Sequence, residues 1–202
     1  MEKRILRLYK KTVSIVNETP INMYEKLVGT KKGFLLESYD KDYDRYTFFG
    51  PEPDEIITSE GQSLVITCAD GTRKVFPGNP CELLKEYYSS FEIRKDHNEL
   101  AFTGGLVGNL GYDFVRYTEQ LPDANPDTIG IETIQMMLMT RFVLVDHVAE
   151  TLTAIVLAAD DADGQQQAQG QIEEMIKICR SAGNEPIRKN LCHDGKIVAQ
   201  SD

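Results

Sequence analysis

The sequence is poor in the residues and patterns that mark several common kinds of protein. Its four cysteines, at positions 68, 81, 179 and 192, lie far apart and form no C-x-x-C pair. We therefore expect reduced thiols in a cytoplasmic protein rather than a disulfide framework or a zinc site. The three histidines form no HxH or HExxH motif, and no paired acidic cluster points to another metal site.

Positive charge and long apolar runs are also scarce. The chain has 22 Lys and Arg residues against 32 Asp and Glu residues, a net charge of −10, which predicts neither nucleic acid nor an anionic membrane as a partner. No apolar run reaches the roughly eighteen residues of a membrane span, and the N-terminus lacks a signal-peptide core. The length of 202 residues suits one large domain, or part of a bigger protein.

Hydrophobic periodicity predicts an α+β fold, with mainly antiparallel strands and about three helices packed on sheet faces. Thr19-Pro20 and Asn79-Pro80 are typical helix starts, each with a capping residue before a proline. A third helix is predicted over residues 163–180, with an apolar face of Ala168, Ile172, Met175, Ile176 and Cys179. Strands are predicted at 5–15, 33–38, 45–49, 55–58, 63–67, 73–76, from Phe102 through the glycine run, 134–146 and 151–158.

Several local patterns refine this outline. The apolar face of the second helix is predicted to be Leu83, Leu84, Tyr87 and Phe91, followed by a polar loop at 94–99. The strands at 134–146 and 151–158 are predicted to pair as a hairpin. Asp146-His147 then marks a hairpin turn with a solvated histidine, because neighbouring strand residues point to opposite faces and cannot easily form an acid–base pair. The run at 136–139 suits core packing or, alternatively, a surface for a partner.

The densest motif is a glycine run at 104–111, followed at once by Tyr112-Asp113. A phosphate-binding loop is one interpretation, but the spacing is not G-x-G-x-x-G and no G-K-[ST] follows. The pattern favours a core strand whose glycines allow close packing against another element. We therefore expect structural roles for Gly104, Gly105, Gly108 and Gly111.

Polar side chains follow the apolar strand Phe34-Leu35-Leu36. Glu37 and Ser38 end that strand, and Arg45 opens the next one. One interpretation is a strand end that turns into solvent. The other is a small site for a zwitterion, in which a carboxylate meets an ammonium while a hydroxyl and a guanidinium meet a carboxylate.

The order of these motifs resembles the N-terminal region of anthranilate synthase component I, from about residue 10 to about residue 180. The resemblance rests on Leu-Leu-Glu-Ser at 35–38, Arg-Tyr-Thr-Phe-Phe-Gly at 45–50, the glycine run with Tyr-Asp, and Asp-His at 146–147. It implies two stacked sheets with flanking helices, and a complete enzyme that converts chorismate and glutamine, or ammonia, to anthranilate and pyruvate with Mg²⁺. The related aminodeoxychorismate synthase component I is the alternative within this group of enzymes.

The resemblance also implies which parts of the enzyme lie on this chain and which lie on the C-terminal domain. Residues 1–186 would be the N-terminal domain and 187–202 a disordered or non-family tail, while the C-terminal chorismate-binding domain, with the catalytic and Mg²⁺-binding residues, is absent. No catalytic or metal residue is therefore assigned, and the chain alone is expected to be inactive. Implied partners are that C-terminal domain, the glutamine amidotransferase component II, and tryptophan as feedback inhibitor.

The resemblance places part of the tryptophan feedback site on this chain, at Leu36, Glu37, Ser38 and Arg45. The glycine run would lie near the join between the two halves of the enzyme. Two further hypotheses stay open: an independent amino acid-binding module, and a structural domain that docks a glutamine amidotransferase.

Overall fold

The computed structural model describes residues 1–15, 18–37, 45–95, 100, 102–122 and 130–181. Three α-helices, a 3₁₀ helix at Tyr112–Tyr117 and eleven strands are present in these residues, which confirms the predicted α+β class. The helices are α1 (Pro20–Leu27), α2 (Pro80–Ser89) and α3 (Ala162–Arg180). The strands are β1 (Arg4–Ser14), β2 (Gly33–Leu36), β3 (Tyr46–Pro51), β4 (Glu55–Ser59), β5 (Ser63–Cys68), β6 (Arg73–Pro77), β7 (Phe91–Arg94), β8 (Gly105–Leu110), β9 (Ile134–Met139), β10 (Arg141–Asp146) and β11 (Thr151–Ala159).

The strands form two sheets. The larger has six strands in the order β2-β3-β10-β11-β1-β7, and the smaller has five in the order β6-β5-β4-β9-β8. All pairs are antiparallel except β1 with β7. The predicted domain boundary at residue 186 and the tail after it lie outside the described residues.

One predicted strand is in fact two. The apolar stretch at 134–146 was expected to be a single strand, but β9 belongs to the five-stranded sheet and β10 to the six-stranded one. Thr140 separates them, and Asp54 Oδ2 accepts hydrogen bonds from its Oγ1 (2.5 Å) and its backbone N–H (3.3 Å). The chain changes sheets where this carboxylate binds the backbone. The predicted hairpin of β10 and β11 is confirmed.

A second prediction was wrong at the end of α2. Phe91 was placed on the apolar face of the helix, yet α2 ends at Ser89 and Phe91 begins β7. The Ser90 carbonyl accepts a bond from Arg4 N–H at 2.8 Å, which starts the parallel pairing with β1. Phe91 still packs on Tyr87, with ring centroids 5.2 Å apart, so the helical spacing detected a true contact made from another element.

The predicted helix starts are confirmed. Thr19 Oγ1 accepts the Asn22 N–H at 3.2 Å, and Asn79 Oδ1 accepts the Cys81 N–H at 2.9 Å. Each cap satisfies a backbone donor that the first helical turn leaves without a partner. None of the helices in the described ranges is both long and apolar enough to cross a membrane.

The core is arranged in layers. Helices α1 and α3 cover one face of the six-stranded sheet, and the predicted face of α3, Cys179 included, is buried there. Helix α2 and the 3₁₀ helix pack on the five-stranded sheet around Tyr87 and Ile134. A third cluster around Met139 and Phe142 joins the two sheets. Leu138 and Met139 are buried, and Met136 and Met137 pack against different clusters, so the 136–139 run serves core packing.

The glycine run forms strand β8, followed by the 3₁₀ helix. A Cβ at Gly108 would come within 2.0 Å of the Gln135 carbonyl oxygen on β9, so a side chain cannot fit there. Gly104 has φ +92°, which disfavours any other residue. The predicted close packing is confirmed. The expected core position is wrong, because β8 is the last strand in its sheet and its residues are half-buried or exposed.

The thiols in the described part of the chain are free. Cys68 and Cys81 are partly exposed, and Cys179 is buried against the six-stranded sheet. Burial raises the pKa of the Cys179 thiol to about 12, which keeps it protonated and unreactive near neutral pH. Cys192 lies outside the described residues.

Candidate functional site

The predicted site residues are brought to one end of the six-stranded sheet. Strand β2 ends there at Leu36, which lies in register with Phe48, and β3 begins there just after Arg45. Leu36 is 48% exposed, and Glu37 and Arg45 are also exposed. Ser38 lies outside the described residues. This end of the sheet therefore carries three of the four predicted residues on adjacent strands.

Arg45 has a partner that was not predicted from the sequence. Its Nε lies 2.9 Å and its Nη2 2.7 Å from Asp146 Oδ2, and Nε also lies 3.1 Å from Oδ1. Strand pairing sets this meeting, because Asp146 on β10 lies opposite Tyr46 on β3. A side-on pair of this kind fixes the direction of the guanidinium as well as its position.

Asp146 is held in turn by the hairpin that follows it. Its Oδ1 accepts the backbone N–H groups of Val148 and Ala149, each at 3.0 Å. The hydrogen bonds from Arg45, aided by these two N–H groups, lower the pKa of Asp146 to about 2 although burial opposes the charge. The carboxylate is therefore ionised at neutral pH. The sequence shows Asp146 as part of a turn and of the motifs behind the family resemblance, but predicts no role for it in the site.

His147 is exposed, as predicted for a turn residue, but it also makes specific contacts. Its Nε2 lies 2.8 Å from Oγ1 of the buried Thr47, and its backbone N–H donates to the Arg45 carbonyl at 2.9 Å. The side chains of Asp146 and His147 thus bind different residues, Arg45 and Thr47, consistent with the expectation that they form no acid–base pair. These contacts hold the β10–β11 turn against the start of β3, next to Arg45.

A cleft of about 600 Å³ opens beside this group. Its described lining comes from the end of β1, the start of α1 and the β10–β11 turn: Ile15, Glu18, Thr19, Pro20, Val145, Asp146, His147 and Glu150. Glu18 is neutralised by Lys26, whose Nζ lies 2.6 Å from its carboxylate and 2.7 Å from the Ser181 carbonyl. The acidic groups Asp146 and Glu18 are therefore each paired with a cation.

The arrangement offers binding chemistry for a small charged ligand. Arg45, whose side chain is half-exposed (52%), directly precedes β3, and the paired strand β2 ends at the exposed residues Leu36 and Glu37. The described residues hold no group of three or more His, Cys, Asp or Glu side chains that could bind a metal ion.

Comparison with known proteins identifies sequences that are similar to this chain. No family model matches the chain. Anthranilate synthase component 1 of Pseudomonas putida is 31% identical over 195 residues, which are 92% of this chain and 38% of that protein. The protein of the same name from Acetivibrio thermocellus is 30% identical over 141 residues, 69% of this chain and 28% of that protein.

A solved structure of a protein with the same name is also similar to this chain. The crystal structure of anthranilate synthase component I from Streptococcus pneumoniae TIGR4 superposes with a TM-score of 0.57 and 25% identity, over 82% of this chain and 35% of that one. The chain is related to the N-terminal region of anthranilate synthase component I. It spans between 28% and 38% of the length of these anthranilate synthase component I relatives.

Proposed function

We propose that this chain forms the N-terminal, regulatory and structural portion of an anthranilate synthase component I. With a C-terminal chorismate-binding region, such an enzyme converts chorismate and glutamine, or ammonia, to anthranilate and pyruvate in tryptophan biosynthesis. The relatives named anthranilate synthase component 1 support this assignment, and support it over the aminodeoxychorismate alternative. A glutamine amidotransferase component is the proposed protein partner.

The chemical step is not proposed for the residues of this chain. The described residues hold no group of three or more His, Cys, Asp or Glu side chains, and we assign no Mg²⁺ ligand to this chain. We place the Mg²⁺, the chorismate and the acid–base groups in the C-terminal region. By itself, this chain is expected to be catalytically inactive.

For the regulatory role we propose that tryptophan binds at the end of the six-stranded sheet. Glu37 would receive the ammonium group, Arg45 and Ser38 the carboxylate, and Leu36 would contact the indole ring. The observation that carries this proposal is the half-exposed Arg45, which directly precedes β3, the strand that pairs with β2. Such coupling between an inhibitor and an active site typically amounts to about 1–3 kcal/mol.

The test uses an enzyme that contains this chain together with a chorismate-binding region. Glu37→Ala and Ser38→Ala should each weaken inhibition by tryptophan about tenfold or more, because each removes a bond to a charged ligand group. Glu60→Ala is a matched control, since Glu60 lies on the β4–β5 turn of the other sheet and pairs with Arg73. Unchanged inhibition in both Glu37→Ala and Ser38→Ala would refute the site.

Binding to the 202-residue chain alone gives a second measurement. We expect weak or undetectable affinity, because the other wall of the site would come from the C-terminal region. The chain contains no Trp, so the fluorescence of added tryptophan can be followed without an indole background. Micromolar affinity, equivalent to about −8 kcal/mol, would show instead that the chain is a complete amino acid-binding module.

A further inference from the structure

We propose that Asp146 is a positioning residue that orients Arg45 for the carboxylate of the bound amino acid. The inference rests on the proposed tryptophan site and adds to it a residue 101 positions away in the sequence. Asp146 would act through Arg45 and would make no contact with the ligand.

The geometry of the ion pair uses only one edge of the Arg45 guanidinium. Asp146 engages Nε and one N–H of Nη2, which form one edge of the planar guanidinium. A guanidinium has five N–H donors, so the edge formed by Nη1 and Nη2 is not used by Asp146. A ligand carboxylate could bind at that edge while the first pair stays intact.

The anchor for Arg45 is firmer than an ordinary surface ion pair. The Asp146 side chain is 9% exposed, whereas that of Arg45 is 52% exposed. The carboxylate is fixed by two backbone N–H groups of the hairpin turn, and the Arg45 guanidinium carbon also lies 5.1 Å from the centre of the Tyr46 ring. A buried, hydrogen-bonded carboxylate therefore holds the inner side of a cation whose outer side faces solvent.

This anchoring has a direct consequence for affinity. A free arginine side chain has many rotamers, and binding a ligand would have to restrict them. When Asp146 already restricts them in the folded chain, the ligand carboxylate meets a guanidinium that is in place. The negative charge of Asp146 also favours an approach along the outer edge, because a carboxylate that came close to Asp146 would be repelled.

The first test measures Arg45 directly. In the ¹⁵N NMR spectrum of the 202-residue chain, the Arg45 Nε–H signal should be protected from exchange with water in the wild type. Asp146→Asn keeps an oxygen for the turn but removes the charge, and it should raise the exchange rate about tenfold or more. Asp160→Asn is the control, because Asp160 pairs with Arg7 and Arg94 beyond the opposite end of β11. An Arg45 signal unchanged by Asp146→Asn would overturn the inference.

The second test measures ligand selectivity in the enzyme with a chorismate-binding region. Asp146→Asn should weaken inhibition by tryptophan about tenfold and leave inhibition by tryptophanamide, which lacks the carboxylate, unchanged. Arg45→Lys should behave in the same way, because a lysine cannot form the side-on pair. In an Arg45→Ala background, Asp146→Asn should have no further effect. An equal loss for both ligands would mean a merely structural role and would overturn the proposal.

The two tests separate the failure of this inference from the failure of the proposed site. If Arg45→Ala does not change inhibition by tryptophan, the proposed site is wrong, and the ligand role of Asp146 falls with it. If Arg45→Ala abolishes inhibition but Asp146→Asn has no effect, the site stands and only the positioning role is wrong.

Discussion

Two arginine–carboxylate pairs of this protein lie in contrasting surroundings. Arg4 on β1 binds Glu55 on β4 at 2.8 and 3.3 Å, and their side chains are 35% and 15% exposed. The Arg4 guanidinium lies 4.1 Å from the centre of the Phe91 ring, and the Tyr87 hydroxyl donates to Glu55 at 2.5 Å. In the second pair the side chains of Arg45 and Asp146 are 52% and 9% exposed, so this cation is more exposed than Arg4.

The difference is between a pair packed against aromatic rings and a pair whose cation is half-exposed. Arg4 and Glu55 connect the six-stranded sheet to the five-stranded one, and aromatic rings cover them. Burial and the bond to Glu55 raise the pKa of Tyr87, so its hydroxyl remains a donor at any physiological pH. Among the described residues, Asp146 binds one edge of the Arg45 guanidinium and the Tyr46 ring lies near it. The same two functional groups therefore form two kinds of pair. We call the Arg4–Glu55 pair between the sheets the closed join, and the Arg45–Asp146 pair, with its half-exposed cation, the open pair.

The largest effect is expected at the closed join. Glu55→Gln should lower the free energy of unfolding by about 2–3 kcal/mol, because it leaves the Arg4 charge and the Tyr87 hydroxyl with a weaker, neutral partner. Chemical denaturation followed by circular dichroism measures this loss. A loss below that of Asp146→Asn would contradict the distinction between the two pairs.

A smaller effect is expected for Tyr87→Phe. Tyr87 is fully buried, and the substitution keeps its ring on Phe91 while removing the donor to Glu55. We expect a loss of about 1–2 kcal/mol in the same denaturation experiment. Tyr88→Phe is a suitable control, since Tyr88 is 65% exposed and should be almost neutral. Equal effects from Tyr87→Phe and Tyr88→Phe would show that the hydroxyl bond contributes little.

The open pair should contribute less to stability but give a specific dependence on pH. Asp146→Asn should cost about 1 kcal/mol near pH 7. The pKa of Asp146 is about 2, against an ordinary value of 3.8, so its contribution is complete above about pH 5 and is lost progressively as the pH falls toward 2. The stability difference between the wild type and Asp146→Asn should therefore shrink over that interval. A difference independent of pH between 2 and 5 would contradict the assigned ion pair.

The smallest effect is expected where both partners are open to solvent. Arg73 and Glu60 form a hairpin pair on the five-stranded sheet, with side chains 50% and 49% exposed. Arg73→Ala should change the free energy of unfolding by less than about 0.5 kcal/mol, because exposed pairs gain little over solvation. A thermal melt at low and high salt measures it. A loss as large as that of Asp146→Asn would mean that side-chain exposure does not determine the order of the stability losses among the three pairs.

Much of the fold followed from local sequence patterns. The caps Thr19 and Asn79 were recognised because a helix start needs a side-chain acceptor, and the face of α3 because apolar residues recur at helical spacing. Strand β7 was missed since Phe91 continues the helical spacing of Leu84 and Tyr87. The change of sheet at Thr140 was missed because the apolar run at 134–146 continues through it.

The candidate site was only partly predictable, for a related reason. Leu36, Glu37 and Arg45 were identified from short motifs that lie close in the sequence. Asp146 was not connected with them, because its contact with Arg45 depends on the pairing of β3 with β10, which brings together residues 101 positions apart. Periodicity within a strand does not say which strand will be its neighbour. The turn signal at Asp146-His147 gave the position of the hairpin but not its contact with β3.

The single residue between β9 and β10 has a consequence for folding. Both strands are fixed in register by their own neighbours, β4 and β8 on one side and β3 and β11 on the other. Only Thr140 lies between the two strands. A shift in the register of β9 would therefore require a simultaneous shift in the register of β10 in the other sheet. The two sheets should therefore unfold as one cooperative unit, and slow amide exchange on β9 and β10 should report the same global opening.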